Sequence, residues 1–329
     1  MSIHYIRLKG NNPYYNLAAE EYLLKNIDQD ILMLWQGENS VVVGKHQNAL
    51  SEINHRYVYD QHIKVARRLS GGGTVFHDHG NLNFSFIRTM NRPENIRFTL
   101  FTQPILQVLN QLPLRFPAVA NNRSDLLIDG KKISGNAEHL YKKKVLHHGT
   151  LLFNSQLGKL NLALKADLSR FKDKSVQSNR SEVANISDYL DQSMTLGEFA
   201  EFMEQGLQQC LETVIPYDLN DEDDRAINQL CREKYQTWEW IYGYSPKYEY
   251  FNELKTARGS LAFHFFVEKG LIRHSDWKGP FSEILLQQLA SAIQNCPHHY
   301  NAMKESMVHC CQQLKKEAIS PEKLLAVLL

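Results

Sequence analysis

Three consecutive glycines stand between two arginines and a run of strand-forming residues: Arg67-Arg68-Leu69-Ser70-Gly71-Gly72-Gly73-Thr74-Val75-Phe76-His77-Asp78. Ile63–Ala66 reads as a short strand running into the arginines, and Thr74–Phe76 and Leu82–Ile87 read as strands after the glycines. In the last of these, Leu82, Phe84 and Phe86 fall on one side and Asn83 and Ser85 on the other, the period of a half-buried sheet. A glycine cluster in such a place is either a flexible hairpin turn or bare backbone that a ligand approaches closely. Beside fixed cations, the second alternative gives a concavity of N–H groups that binds anions, with the planar fork of Arg68 holding a phosphate or carboxylate. The spacing is not that of a P-loop, which needs Gly-Lys-Ser/Thr, nor that of a dinucleotide fingerprint.

The rest of the chain alternates strand and helix signals. Ile3–Leu8 reads as a strand, Asn12-Pro13 as a turn, and Asn16 as the N-cap of a helix through about Asn26, with Tyr15, Ala18, Ala19, Tyr22 and Leu23 on its buried face. Ile31–Trp35 and Val41–Val43, separated by Gly37-Glu38-Asn39, read as a hairpin. A helix is expected from about Phe98 to Leu112, then strands at Leu126–Ile128, Lys132–Ser134 and Val145–Phe153. The polar stretch Asp173–Glu182 reads as a loop and Leu196–Thr213 as a helix. Composition shifts at Asp221–Asp224, and past Trp238–Pro246 the pattern restarts. There Leu261, Phe263, Phe265 and Val267 alternate with smaller or polar residues, Glu268-Lys269-Gly270 turns into a strand at Leu271–His274, and helices begin near Phe281, Tyr300 and Pro321. The reading is an α/β chain with a mixed α+β sheet in a domain over 1–246 and a small α/β module over 247–329.

Charge narrows the functions available. The 37 Lys and Arg against 36 Asp and Glu leave a formal charge of +1, without the basic excess of a protein that binds nucleic acid by counterion release. The apolar run Leu324–Leu329 is far short of the ~20 residues of a membrane helix, and Met1–Gly10 has no signal-peptide core, so a cytoplasmic protein is expected. The five cysteines, at 210, 231, 296, 310 and 311, form no Cys-x-x-Cys pair and are expected to fill core, and the 14 histidines show no metal-ligand spacing.

A second segment carries chemistry: Asp129-Gly130-Lys131-Lys132-Ile133-Ser134-Gly135-Asn136-Ala137, then His147-His148-Gly149-Thr150-Leu151-Leu152. A lysine entering a strand just before Ser-Gly is partly desolvated, which suits a stabiliser of developing phosphate charge. Lys131 and Lys142-Lys143-Lys144 read as solvated. Residue types alone leave the two histidines open between satisfied core imidazoles and ligand contacts.

Taken together, Arg68 with Ser70–Asp78, Lys132–Ala137 and His147–Leu152 closely resemble the lipoate–protein ligase A family. More of its pattern follows: Leu34-Trp35; Val42–Asn48, where many members have Arg at the place of Lys45; Ser175-Val176 and Arg180–Ile186, like its adenylate-binding loop; and Trp238-Glu239-Trp240 with Gly243–Pro246, like the junction before its C-terminal domain. The resemblance implies a biotin/lipoate protein ligase-like catalytic domain, related to class II aminoacyl-tRNA synthetases, plus a small α/β C-terminal domain. It implies activation of lipoate by ATP with Mg²⁺ to lipoyl-adenylate and pyrophosphate. The lipoyl group then passes to a lysine of apo lipoyl domains of 2-oxo acid dehydrogenase complexes or of the glycine-cleavage H protein.

By the same resemblance Lys132 is the catalytic residue, touching the lipoyl carbonyl oxygen and the α-phosphate. Arg68 matches the phosphate-contacting arginine, and Gly73, Thr74, Val75 and Phe76 match the segment that holds the adenylate. Ser70, His77, His148 and Thr150 match positions around the lipoyl tail and its carboxyl end, with Trp35 and Leu17 as apolar walls. Asn81 and Asp125 are secondary candidates for phosphate or Mg²⁺, which ATP is expected to carry without a resident protein metal site. Three alternatives remain: an octanoyl or lipoyl transferase of the same fold that uses a cysteine and no ATP, a transferase limited to preformed lipoyl-adenylate, and a non-catalytic lipoate- or nucleotide-binding homologue. The absence of cysteine from Met1–Gln209 speaks against the first and the presence of Lys132 against the last.

Overall fold

The computed structural model describes residues 2–90, 97–121, 125–164, 167–179, 181–211 and 213–329, which divide into two units. The first comprises 1–45, 64–161 and 178–237, the second 46–63, 162–177 and 238–329.

A six-stranded mixed sheet organises the first unit, in the order Asn136–Tyr141, Lys144–Leu152, Asn81–Thr89, Asp30–Trp35, Ile3–Arg7, Val214–Pro216. The first three neighbouring pairs are antiparallel and the last two parallel. One face is closed by helices Thr99–Leu109 and Leu196–Cys210, which meet so closely that a Cβ on Gly206 would overlap Val108. Leu82, Phe84 and Phe86 enter that core, Phe101 packs on Phe86, and Phe153 stacks on Phe199 at 4.4 Å. Burying each such ring contributes about 1.5–3 kcal/mol.

Helix Pro13–Asn26 lies on the other face, so the strand Asn81–Thr89 is not half-buried as its alternation predicts: Asn83 and Ser85 are buried too. The fold thus keeps a polar row indoors. The helix itself starts earlier than expected, with Asn12 as N-cap and Pro13 in the first turn. Asn16 is inside it and donates to the Gln36 carbonyl. Its buried surface includes Leu17, Glu20, Glu21 and Leu24 as well as Ala18, Ala19 and Leu23, whereas Tyr15 and Tyr22 reach out to Asp224 and Asp223. Burial would raise the Glu21 carboxyl, but hydrogen bonds from Lys234, Lys25 and Tyr235 hold it below its usual range.

Ile31–Trp35 and Val41–Val43 do not form the expected hairpin. Ser40–Val43 is the centre of a separate three-stranded sheet, parallel to Lys64–Arg67 and antiparallel to Val75–His77. This decides what the glycines are: the strands before and after them pair with Ser40–Val43, not with each other, so Gly71–Gly73 cross over the end of that central strand. A third small sheet, Ala118–Ala120, Leu126–Ile128 and Lys131–Ser134, turns through Asp129 and Gly130, both at positive φ (50° and 74°). That is the geometry a two-residue Asp-Gly hairpin requires.

Close approach of backbone fixes one further position. Gly80 accepts from the N–H groups of Phe153 and Asn154, and a Cβ there would overlap the Asn154 carbonyl oxygen. Gly80→Ala is expected to cost about 1–3 kcal/mol by forcing these backbones apart. A denaturant midpoint equal to that of the unmodified chain would contradict the close fit.

The second unit is built on a four-stranded antiparallel sheet, Phe171–Asp173, Tyr248–Thr256, Gly259–Glu268 and Leu271–Lys278. Leu261, Phe263, Phe265 and Val267 point into a core shared with helices Glu283–Ile293, Tyr300–Ser306, Cys311–Lys316 and Pro321–Val327. The expected turn lies at Lys269-Gly270, again with both φ positive. Strand Tyr248–Thr256 escaped the sequence reading because Asn252 interrupts its inward positions and Phe251 stands among its outward ones. Among the five free cysteines, Cys231, Cys296 and Cys310 are buried, while Cys210 and Cys311 are half-buried. No helix among the described residues is long and apolar enough to cross a membrane.

The core of this unit holds His298 in its neutral form. His298 is fully buried, donates from Nε2 to the Leu328 carbonyl at 2.7 Å and accepts at Nδ1 from the Tyr248 hydroxyl at 2.8 Å. Burial pushes it down to about 4. An unfolded histidine takes up its proton near pH 6.5, so the stability His298 contributes is complete above 6.5 and is lost as pH falls from there towards 4, by up to about 1.4 kcal/mol per unit. Denaturant melts between pH 7.5 and 4.5 are expected to show this slope, and His298→Gln is expected to make it shallower while other neutral histidines such as His55 and His77 keep theirs. An unchanged slope in the variant would assign the acid sensitivity elsewhere.

Candidate functional site

Arg67 and Arg68 diverge as neighbours on a strand must. Arg67 is buried and donates to the Gly44 and Lys45 carbonyls. Arg68 runs the other way. Its Nε donates to Ser70 Oγ at 2.9 Å, its Nη1 to the Val42 carbonyl at 3.1 Å, and its Nη2 to the carbonyls of Gly71 and Gly73 at 2.6 and 2.7 Å. One guanidinium therefore shapes the loop. Gly72, at φ 82°, is in the left-handed region that favours glycine, and a Cβ on it would come within 3.1 Å of Arg68 Nη2. Gly73 is covered by Ser178, whose Oγ accepts from the Thr74 N–H at 2.8 Å. Thr74, Val75 and Phe76 carry the loop into strand Val75–His77, with Phe76 buried and Val75 half-buried.

Lys132 is presented by strand Lys131–Ser134, whose backbone the 182–184 segment clamps: Lys132 N–H donates to the Glu182 carbonyl, and its carbonyl accepts from Ala184. The side chain lies over Gly135, where a Cβ would come within 3.1 Å of Cε and 3.2 Å of Nζ. Nζ pairs with Asp125 at 2.7 Å, both side chains partly exposed. Gly135 is in turn tied to strand Lys144–Leu152 through Thr150, and Gly72 faces Ala137. The glycine loop and the lysine thus flank the stretch Gly135–Ala137. Lys131, as expected, is solvated, with an ion pair to Glu182.

The paired histidines separate by the period of two. His147 points into the core, stacked on Phe101 at 4.7 Å and held by Glu138, so it is structural. His148 points to the polar row, where Nε2 lies 2.6 Å from Ser70 Oγ and Nδ1 lies 3.0 Å from both carboxylate oxygens of Glu20. His77 stands edge-on to Trp35 at 5.4 Å, with both ring nitrogens buried and without a hydrogen-bond partner among the described residues. Burial first, then the positive Arg68, push it down to about 3, so it is a neutral imidazole. Trp35 donates to Ser85 in this row, and Leu17 is buried on the helix that carries Glu20.

Of the secondary candidates, Asp125 meets Lys132, whereas Asn81 braces its own turn by accepting from the Asp78 N–H and donating to Asn83. Arg180 lies outside the described residues. Glu20 and Ser85 escaped the sequence reading. Ser85 was visible as the polar side of its strand, but nothing in the helix periodicity marks Glu20 as buried.

Such an arrangement suits an acyl phosphate anhydride. A cation stands over bare backbone, an arginine-braced loop lies alongside, and a buried row carries a few polar groups. The family models match accordingly: "Lipoyl protein ligase A/B catalytic domain" over residues 12–208 and "Bacterial lipoate protein ligase C-terminus" over 245–328. Lipoate-protein ligase LplJ of Bacillus subtilis is 40% identical over 275 residues, 82% of this chain and 82% of its own. Lipoate–protein ligase 1 of Staphylococcus aureus is 37% identical over 306 residues, 91% of this chain and 92% of its own. Among solved structures, P. falciparum LipL1 in complex with lipoate is 25% identical with a TM-score of 0.61 and covers 98% of this chain and 97% of its own. Lipoate-protein ligase A bound with ATP aligns at TM-score 0.60 and 25% identity, over 74% of this chain and all of its own. The bipartite ligase of Thermoplasma acidophilum, described with its E2 lipoyl domain, aligns at TM-score 0.60 and 25% identity, over 74% of this chain and 97% of its own. With both family models matched and relatives sharing this identity over more than four fifths of its length, the chain belongs to the lipoate–protein ligase family.

Proposed function

We propose that the chain catalyses both half-reactions of lipoate ligation. The carboxylate of lipoate attacks the α-phosphorus of ATP, pyrophosphate leaves, and lipoyl-adenylate forms. The ε-amine of an acceptor lysine then attacks the lipoyl carbonyl, loses a proton, and AMP leaves. The observation that carries this reading is Lys132, its ammonium lying over Gly135, two residues before the Ala137 that the glycine loop faces. Both steps build negative charge on the atoms between carbonyl and α-phosphate, and a cation placed there lowers both barriers without moving a proton. Arg68, Gly73, Thr74, Val75 and Phe76 hold the adenylate in this reading. Ser70, His77 and His148 surround the acyl chain, with Trp35 and Leu17 as its walls.

Mg²⁺ arrives as part of the nucleotide. The acceptors are apo lipoyl domains of 2-oxo acid dehydrogenase complexes and the glycine-cleavage H protein, and the compartment is the cytoplasm. The two family matches, ending at 208 and starting at 245, support a catalytic part over 1–246 and an accessory part over 247–329. A cysteine-based transferase is disfavoured. The first cysteine is Cys210, and burial raises its thiol above the usual value, away from the thiolate such chemistry needs.

The test is direct. The purified chain, lipoate, Mg-ATP and an apo lipoyl domain are expected to release pyrophosphate and add the lipoyl mass to the acceptor. Modification from preformed lipoyl-adenylate alone would make it a transferase, and no modification from either donor would leave only binding.

A further inference from the structure

The buried polar row beneath the glycine loop is one continuous relay whose proton directions are set from both ends. At one end the Trp35 indole, which can only donate, gives its proton to Ser85 Oγ at 3.0 Å. The Ser85 hydroxyl then donates to Glu20 Oε1 at 2.6 Å. At the other end Arg68 Nε, also donor-only, gives its proton to Ser70 Oγ at 2.9 Å. The Ser70 hydroxyl is left to donate to His148 Nε2 at 2.6 Å, in preference to the Gly71 carbonyl at 3.4 Å. His148 must then carry its proton on Nδ1 and donate it to Glu20, both of whose oxygens lie 3.0 Å away.

Two chains of donors therefore converge on one carboxylate. A carboxylate, which only accepts, closes both. Every member is buried, and Glu20 itself is 1% exposed. A buried carboxylate is costly unless it is fully hydrogen-bonded, and here the bonds lead from helix Pro13–Asn26 to the loop whose Gly71 and Gly73 carbonyls Arg68 holds.

We propose that Glu20 is a positioning residue of the adenylating site: it fixes the tautomer of His148, and through Ser70 and Arg68 it fixes the glycine loop. The proposal rests on the lipoate-adenylation reading for its kinetic consequence, but not for its proton arrangement. In Glu20→Gln the shape is kept, but the charge is removed, and because both carboxylate oxygens lie at equal distances from Nδ1, one of the two positions facing His148 Nδ1–H becomes an NH₂ whichever way the amide lies. The point on which the two donor chains converge is weakened, and the brace from His148 through Ser70 to Arg68 loosens.

Two measurements test this. The first is the imidazole ¹⁵N–¹H spectrum of the full chain, with the His148 signals assigned by their loss in His148→Gln. An Nδ1–H tautomer is expected in the unmodified protein, and an Nε2–H tautomer there would overturn the relay outright. The second is lipoate-dependent ATP–pyrophosphate exchange. Glu20→Gln is expected to lower kcat about thirtyfold while KM for ATP moves less than about threefold. In a Ser70→Ala background, where the relay is already cut, the same substitution is expected to change kcat by less than about threefold. Equal losses in both backgrounds would show that Glu20 acts by general stability alone and refute the proposal. If the unmodified chain shows no exchange with lipoate, the ligase reading fails while the spectrum still decides the relay.

Discussion

Lys132→Ala is expected to lower lipoyl-adenylate formation by at least about 10²–10³, the loss that follows removal of one preorganised stabiliser of developing negative charge. The melting midpoint should barely move. Lys132 and Asp125 are both partly exposed, and an ion pair of that kind is worth about 0–1 kcal/mol. The backbone of Lys132, which does bind the 182–184 segment, keeps its hydrogen bonds in any substitution. Chemistry and stability therefore separate cleanly at this position. Lys132→Arg should not rescue. The guanidinium is wider than an ammonium, and the side chain already runs within ordinary contact distance of Gly135, so the planar fork has no room to lie over it. Pyrophosphate exchange and transfer from preformed lipoyl-adenylate are measured separately. Both should fall, because the same charge develops in both steps. Activity within twofold of the unmodified chain would remove Lys132 from the mechanism.

What could be read in advance follows the range of the interactions. The glycine loop, Lys132-Ile133-Ser134-Gly135 and His147-His148-Gly149 are local signals, and the structure brings them together through the Gly72–Ala137 approach, the Lys132–Gly135 approach and the Ser70–His148 bond. The Asp129-Gly130 and Lys269-Gly270 turns were legible for the same reason, since φ above zero at two successive positions is a property of the dipeptide. Strand partnership was not. Ile31–Trp35 and Val41–Val43 stand a few residues apart and look like a hairpin, yet each is buried on both faces and takes a distant partner, Asn81–Thr89 for one and Lys64–Arg67 for the other. Nor does period-two alternation say whether the polar face of a strand meets water. In Asn81–Thr89 it meets Glu20 and His148 instead, which is how a polar site comes to lie inside. Asn12 and Asn16 both suit an N-cap by type, and Pro13 between them decides for the first.

Arg68→Lys is expected to be as damaging as Lys132→Ala, but in stability as well as in rate. One guanidinium reaches Ser70 Oγ and the carbonyls of Val42, Gly71 and Gly73, which lie in different directions around it. A lysine has its donors on a single nitrogen and cannot span them. Each buried carbonyl that loses its donor costs about 1–3 kcal/mol, so even partial loss amounts to a stability drop of about 2–4 kcal/mol, and the glycine loop, with Gly72 held at φ 82°, is released from its shape. Adenylate formation should fall about a hundredfold, since misplacement of a binding loop by an ångström is enough for that. Denaturation and exchange kinetics on the same preparation distinguish the two roles open to this residue. Resemblance to the family makes Arg68 a contact to phosphate, whereas its hydrogen bonds make it the brace of the loop. A hundredfold loss of rate with an unchanged midpoint would mean that it meets the nucleotide and braces nothing. A lowered midpoint with a matching loss of rate means that the loop is the catalytic part and Arg68 is what keeps it in place.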